Sequence, residues 1–117
     1  MPFKLKWTDE ASEQYAKLKS AADTARKKLA KDRRSKSSKV EGLFKPVAKA
    51  IQKLKDSPRQ SGLNSHPYSD LEHPFDSQEK VWESYAQNDT PGAYRVFWGY
   101  GPGRGWLTII SITSHPD

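Results

Sequence analysis

The chain has 117 residues, enough for one hydrophobic core and too few for two. A net charge of +6, no cysteine and a mean hydropathy of −0.92 exclude a disulfide framework, thiolate metal sites and a membrane protein built of apolar helices. Residues 1–60 hold 17 Lys/Arg against 7 Asp/Glu, and residues 61–117 hold 3 against 7, so the first half is strongly basic and the second mildly acidic. A basic half suits a polyanionic partner, because phosphate neutralisation with counterion release drives nucleic-acid binding. The competing explanation is a solvated lysine-rich surface that keeps the protein soluble. Met1 to Trp7 contains no apolar signal segment, so a cytoplasmic, bacterial-type protein without membrane partners is expected. Four Trp, five Tyr and four Phe offset the lean 34% hydrophobic content. Most of them lie between Phe75 and Trp106, which puts the expected core in the C-terminal third.

Phe3, Leu5 and Trp7 alternate with Lys4 and Lys6, the period-2 pattern of a half-buried strand. Thr8 or Asp9 then caps a helix whose apolar stripe runs Ala11, Tyr15, Leu18, Ala22, Ala25 and Leu29. The opposite face carries Lys17, Lys19, Arg26, Lys27 and Lys28. Lys31 to Lys39, which includes Arg33 and Arg34, reads as an exposed basic connection. Val47, Ile51 and Leu54 mark a second helix, with Pro46 expected in its first turn and Val40, Leu43 and Phe44 in a separate turn upstream. Ser57-Pro58 ends that helix.

Residues 59–79 show no period and read as a long loop, a feature that is often functional in a compact domain. Lys80–Gln87, Ala93–Tyr100 and Trp106–Thr113 read as three strands, separated by Asn-Asp-Thr-Pro-Gly and Gly-Pro-Gly-Arg-Gly turns. The expected architecture is a single two-layer α/β (α+β) domain over residues 1–117, ordered β-α-α-β-β-β. Its C-terminal meander is antiparallel, its two N-terminal helices pack on one sheet face, and the first strand joins at an edge or beside the last strand.

Centring the hairpins on Thr90 and Gly103 gives an apolar face of Trp82, Ala86, Tyr94, Val96, Trp98, Ile110 and Ile112 for the helices. The other face then carries Glu83, Tyr85, Arg95, Phe97, Ser111, Thr113 and His115, with Tyr85 opposite Arg95 and Arg95 opposite Ser111. A carboxylate, a guanidinium and an imidazole together could cleave a phosphodiester by attack of the neighbouring 2′-hydroxyl, without metal or cofactor. The carboxylate takes the 2′-proton, Arg neutralises the phosphorane and His protonates the leaving oxygen. Tyr85 and Phe97 could stack exposed bases. The plainer alternative is a solvent-facing sheet surface on which Glu83 and Arg95 form an inconsequential cross-strand ion pair. On either view Arg95 projects into solvent, and its truncation should spare stability. His66 and His73 precede prolines in the long loop and suit turn or packing roles better than chemistry. Gly99, Gly101, Gly103 and Gly105 lie between strands, which favours a hairpin turn over a phosphate loop.

Ala93-Tyr94-Arg95-Val96-Phe97, followed by Ile109-Ile110-Ser111-Ile112 and a histidine near the end, resembles the RelE/ParE toxin superfamily, as do Ser57-Pro58-Arg59 and Gly62-Leu63. The resemblance implies a toxin acting on ribosome-bound mRNA and neutralised by a cognate antitoxin protein. By the same resemblance Arg95 matches the arginine used on the scissile phosphate. His115 matches the C-terminal histidine of the subgroup that includes YoeB, and Glu83 supplies that subgroup's base. Pro116 stands where that subgroup has a tyrosine. The resemblance equally admits a ParE-like, gyrase-directed member or a non-nucleolytic, protein-binding one. If the basic half holds RNA through Arg26, Lys27, Lys28, Arg33 and Arg34, replacing all five by Gln flattens the plot of log affinity against log salt. The slope falls by ~0.7–0.9 for each phosphate no longer neutralised, and an unchanged slope leaves these residues as a solvated face.

Overall fold

The computed structural model describes residues 2–31, 39–87 and 93–114, with side chains given for all of these except 25, 26, 28–31 and 39–43. Strand β1 (Lys4–Trp7) leads into α1 (Asp9–Lys31) and α2 (Lys39–Asp56). A 3-10 turn (Ser61–Leu63) follows, then β2 (His66–Tyr68), β3 (Val81–Tyr85), β4 (Tyr94–Tyr100) and β5 (Trp106–Ser114). The five strands form one sheet in the order β1-β5-β4-β3-β2, with β1 parallel to β5 and the other neighbours antiparallel. Both helices lie on one face, where Ala11, Val47, Ala50, Ile51 and Leu54 pack against Trp82, Val96, Trp98, Leu107, Ile109 and Ile112. The two-layer α+β arrangement and the edge position of β1 follow the expectation.

Thr8 makes the turn from sheet to helix. Its hydroxyl accepts the Ala11 N–H at 3.1 Å, capping α1, and donates to the Ile110 carbonyl at 2.6 Å. Gln14, one turn further on, accepts the Ile112 N–H at 2.6 Å. It thereby satisfies a backbone donor of β5 beyond the end of short β1, where the strand would otherwise be an open edge.

Three details depart from the sequence reading. Pro46 lies well inside α2, because the helix begins at Lys39 and absorbs the segment expected as a separate turn. The ring removes one helical hydrogen bond, at a cost of ~3 kcal/mol. Burial of Val47, Ile51 and Leu54, worth ~1.5–3 kcal/mol each, outweighs that cost. The long loop contains a strand, since β2 pairs with β3 through His66 opposite Glu83 and Tyr68 opposite Val81. The second hairpin carries a bulge between Phe97 and Trp98, so Arg95 faces Thr113, not Ser111. That extra residue turns Ile110 away from the helices to join Val81 and Phe97 on the other face, while Leu107 and Ile109 take the helix side. Tyr85 does stand opposite Arg95, as expected.

Two polar devices fasten the long loop. The indole Nε1–H of Trp98 donates to Ser84 Oγ at 2.8 Å, Ser84 Oγ is 2.6 Å from Ser65 Oγ, and Ser65 Oγ donates to the Pro58 carbonyl at 2.7 Å. Further along, the buried His73 ring contacts the Tyr100 carbonyl through Nε2 at 2.7 Å and accepts the Phe75 N–H at Nδ1 at 3.2 Å. The neutral ring protonated at Nε2 satisfies both bonds. It fits because position 99 has no side chain: a Cβ on Gly99 would come within 2.5 Å of His73 Cδ2. Gly99→Ala therefore displaces the imidazole and costs about 1–3 kcal/mol in denaturant unfolding. In a His73→Ala background the same change costs little, and equal losses in both backgrounds would rule out this packing.

Candidate functional site

β2, β3 and β4 bring four polar side chains together on the sheet face opposite the helices. Glu83 is paired with Phe97 and Tyr85 with Arg95, so the carboxylate and the guanidinium meet on the diagonal. Arg95 Nη1 donates to Glu83 Oε2 at 2.8 Å. The other carboxylate oxygen, Oε1, lies 2.7 Å from His66 Nε2 and accepts the Tyr85 hydroxyl at 3.2 Å. His66 Nδ1 is 2.8 Å from the Asn64 carbonyl. Each ring nitrogen thus faces an oxygen acceptor, and both hydrogen bonds form together only on the doubly protonated ring. Burial, with the adjacent Glu83 charge and the bond to it, raises the Tyr85 hydroxyl above the usual tyrosine range, so it stays a donor.

Burial grades the cluster. The Glu83 side chain is 5% exposed and Arg95 17%, whereas His66 is 43% exposed. Tyr68 covers the remainder, its ring 4.7 Å from that of Phe97. The Arg95 guanidinium lies 4.8 Å from the Phe97 ring and 5.8 Å from the Tyr68 ring. Arg95 Nε and Thr113 Oγ1, at facing ladder positions, are buried with no hydrogen-bond partner among the described residues. Each is an uncompensated desolvation beside the ion pair.

This face is therefore not the open surface expected from the sequence. The Tyr68 side chain of edge strand β2 and the chain after it, where His73 packs on Gly99, cover it, and Val81, Phe97 and Ile110 form a second small core beneath Tyr68. Phe97, expected to stack a base, is buried and has its ring covered by Tyr68. Tyr85 remains half-buried, with the His66 ring 5.6 Å away. Glu83 and Arg95 come together as expected. The imidazole that meets them is His66, which the sequence pattern assigns to a turn. A three-residue strand is too short to show a period, and the only signal for it was the spacing of His66 and Tyr68 about Pro67. His115 lies outside the described residues, as do Arg33 and Arg34. Lys27 is exposed on α1; Arg26 and Lys28 lie on the same helix, their side chains outside the described set. Among the described residues, no three His, Cys, Asp or Glu side chains are grouped to hold a metal ion.

No protein-family profile matches the sequence, and no curated protein does. Solved structures do match. A YoeB/ParE toxin from Agrobacterium tumefaciens superposes with a TM-score of 0.58 at 14% identity, over 97% of this chain and 99% of the other. An archaeal RelE-RelB complex from Pyrococcus horikoshii gives a TM-score of 0.55 at 11% identity, over 97% and 96%. The chain has the RelE/ParE toxin fold. At these identities the likeness is one of backbone path, and it extends over nearly the whole domain. Within the RelE/ParE fold of this chain, the long segment between α2 and β3 docks an edge strand and puts an imidazole on the sheet face.

Because the Glu83 charge is buried, its stability rests on its partners. Arg95→Met lowers unfolding free energy by about 3–5 kcal/mol, the usual loss when one member of a buried pair is removed. Combining it with Glu83→Gln recovers much of that loss, because no charge is then left unpaired. Urea unfolding of the two variants checks this, and a wild-type midpoint for Arg95→Met would contradict the geometry.

Proposed function

We propose that the chain is the toxin of a toxin–antitoxin pair and cleaves ribosome-bound mRNA at this sheet face, by metal-independent attack of a 2′-hydroxyl. The observation that carries the reading is the exposed imidazole of His66, held 2.7 Å from a buried carboxylate that is itself ion-paired to Arg95. An imidazole backed by a carboxylate is suited to proton transfer, since the carboxylate fixes the ring and stabilises its cationic form. The fold shared with a YoeB/ParE toxin and a RelE-RelB complex supports the same reading and suggests a protein antitoxin as partner. The excess of Lys and Arg in residues 1–60 suits both the ribosomal RNA and an acidic antitoxin.

In this scheme the partly exposed His66 ring keeps its Nε2 contact to Glu83, releases the Asn64 carbonyl and passes the Nδ1 proton to the leaving 5′-oxygen. Glu83 is a positioning residue, because both of its oxygens are engaged and its side chain is almost wholly buried. Arg95 is assigned to charge on the phosphorane through Nη2, since Nη1 is bonded to Glu83 and Nε is buried. The resemblance gives the base to Glu83 and the leaving-oxygen proton to His115; with the Glu83 side chain buried and engaged, water takes the 2′-proton in this scheme.

Induced expression, with primer-extension mapping of cellular transcripts, tests the proposal. The native chain arrests growth and cuts mRNA. His66→Ala keeps the fold, since Arg95 and Tyr85 still hold Glu83, and slows cleavage ~10²–10⁴-fold. Growth arrest with intact transcripts and trapped gyrase–DNA complexes would replace nuclease by gyrase poison. Normal growth would remove the toxin reading, and full activity in His66→Ala would remove this site.

A further inference from the structure

A groove of about 570 Å³ lies beside this site, between α2 and the end of β3. Its apolar floor includes Phe44, Leu63 and Tyr85, and one wall carries Lys45, Lys49 and Lys53. These lysines are exposed and follow one another at four-residue intervals, so they stack along one side of the helix with ~6 Å of rise between them. Like charges at that spacing destabilise a helix. None of the described lining residues is an Asp or Glu, so no acid within the groove offsets the repulsion. Gly62 leaves the Lys53 head group room: a Cβ there would meet nothing nearer than Lys53 Nζ at 3.9 Å. The groove reaches the cluster through Tyr85, which lines it and also donates its hydroxyl to Glu83.

We infer that this groove binds a single-stranded segment of RNA next to the bond to be cleaved, with phosphates along Lys45, Lys49 and Lys53 and a base against the apolar floor at Tyr85. The inference deepens the proposed function and rests on its assignment of RNA as substrate. Regularly spaced cations match a backbone with one charge per nucleotide, and an aromatic floor accepts any base by stacking. An acidic peptide would also answer the lysines. It has less use for a floor bordered by Tyr85, whose ring lies 5.6 Å from the His66 imidazole. RNA uses both ends of the groove.

The test is binding of a fluorescent single-stranded RNA dodecamer of mixed sequence to the full chain, measured by anisotropy across a salt series. The triple variant Lys45→Gln/Lys49→Gln/Lys53→Gln is expected to lower the slope of log affinity against log salt by about 2, at ~0.7 per phosphate neutralised on a single strand. Gly62→Leu fills the space at the Lys53 end of the groove and is expected to weaken binding at least tenfold, with a slope loss of no more than about 0.7, the share of Lys53 alone. Thermal melts confirm that both variants fold. Unchanged RNA binding in both variants overturns the inference, as does an acidic helical peptide that binds the groove lysines without displacing RNA. The two proposals fail separately. Groove-dependent binding without cleavage keeps the groove and removes the nuclease, whereas His66-dependent cleavage with an unchanged KM in the triple variant does the reverse.

Discussion

A carboxylate almost wholly removed from water has to be neutralised where it sits, and the sheet face opposite the helices is arranged around that requirement at Glu83. An unpaired buried charge would cost several kcal/mol, a large part of the stability of a small domain. Arg95, His66 and Tyr85 supply the donors from three strands. The result fixes β2 in register, brings Tyr68 over Phe97 and closes the face that the strand pattern alone would leave open. One ion pair therefore dictates how an irregular stretch of chain lies on the sheet. It also decides which of the polar groups remains accessible to solvent.

The parts of the fold that follow from periodicity could be read from the sequence. Phe3-Leu5-Trp7, the Ala11 to Ala22 stripe and the Tyr85–Arg95 pairing express spacings of two and about 3.6 residues, which burial of one face enforces. What could not be read depended on single residues. The bulge at Phe97/Trp98 inserts one residue and turns Ile110 over, and nothing in an Ile-Ile-Ser-Ile run distinguishes the position that slips. Pro46 reads locally as a helix start, yet buried neighbours on its C-terminal side carry the helix through it. The segment 59–79 has no period because each tether meets a different target: His66 finds Glu83, Tyr68 finds Phe97 and His73 finds the Tyr100 carbonyl.

The candidate site shows the same division. Glu83 and Arg95 share a face by strand parity, and parity was visible. The third partner comes from an edge strand of three residues, where two alternating side chains give no statistical pattern. Their burial reverses the energetic meaning of the pair. A cross-strand ion pair in water is worth little, but the same contact under an aromatic roof becomes a condition of stability. Function and folding are thus superimposed on one set of atoms, with the imidazole and the Tyr85 ring left partly accessible.

The hydroxyl relay that ties the loop to the core has a direction. An indole can only donate and a carbonyl can only accept, so with Trp98 at one end and Pro58 at the other, each serine proton is committed to pointing the same way. Such a chain cannot be half made. If Ser65 withdraws, Ser84 loses its acceptor, and if Trp98 shifts, Ser84 loses its donor. Seating of the loop and settling of the innermost tryptophan are therefore one cooperative event, and an opening of residues 59–68 would be felt at the centre of the sheet.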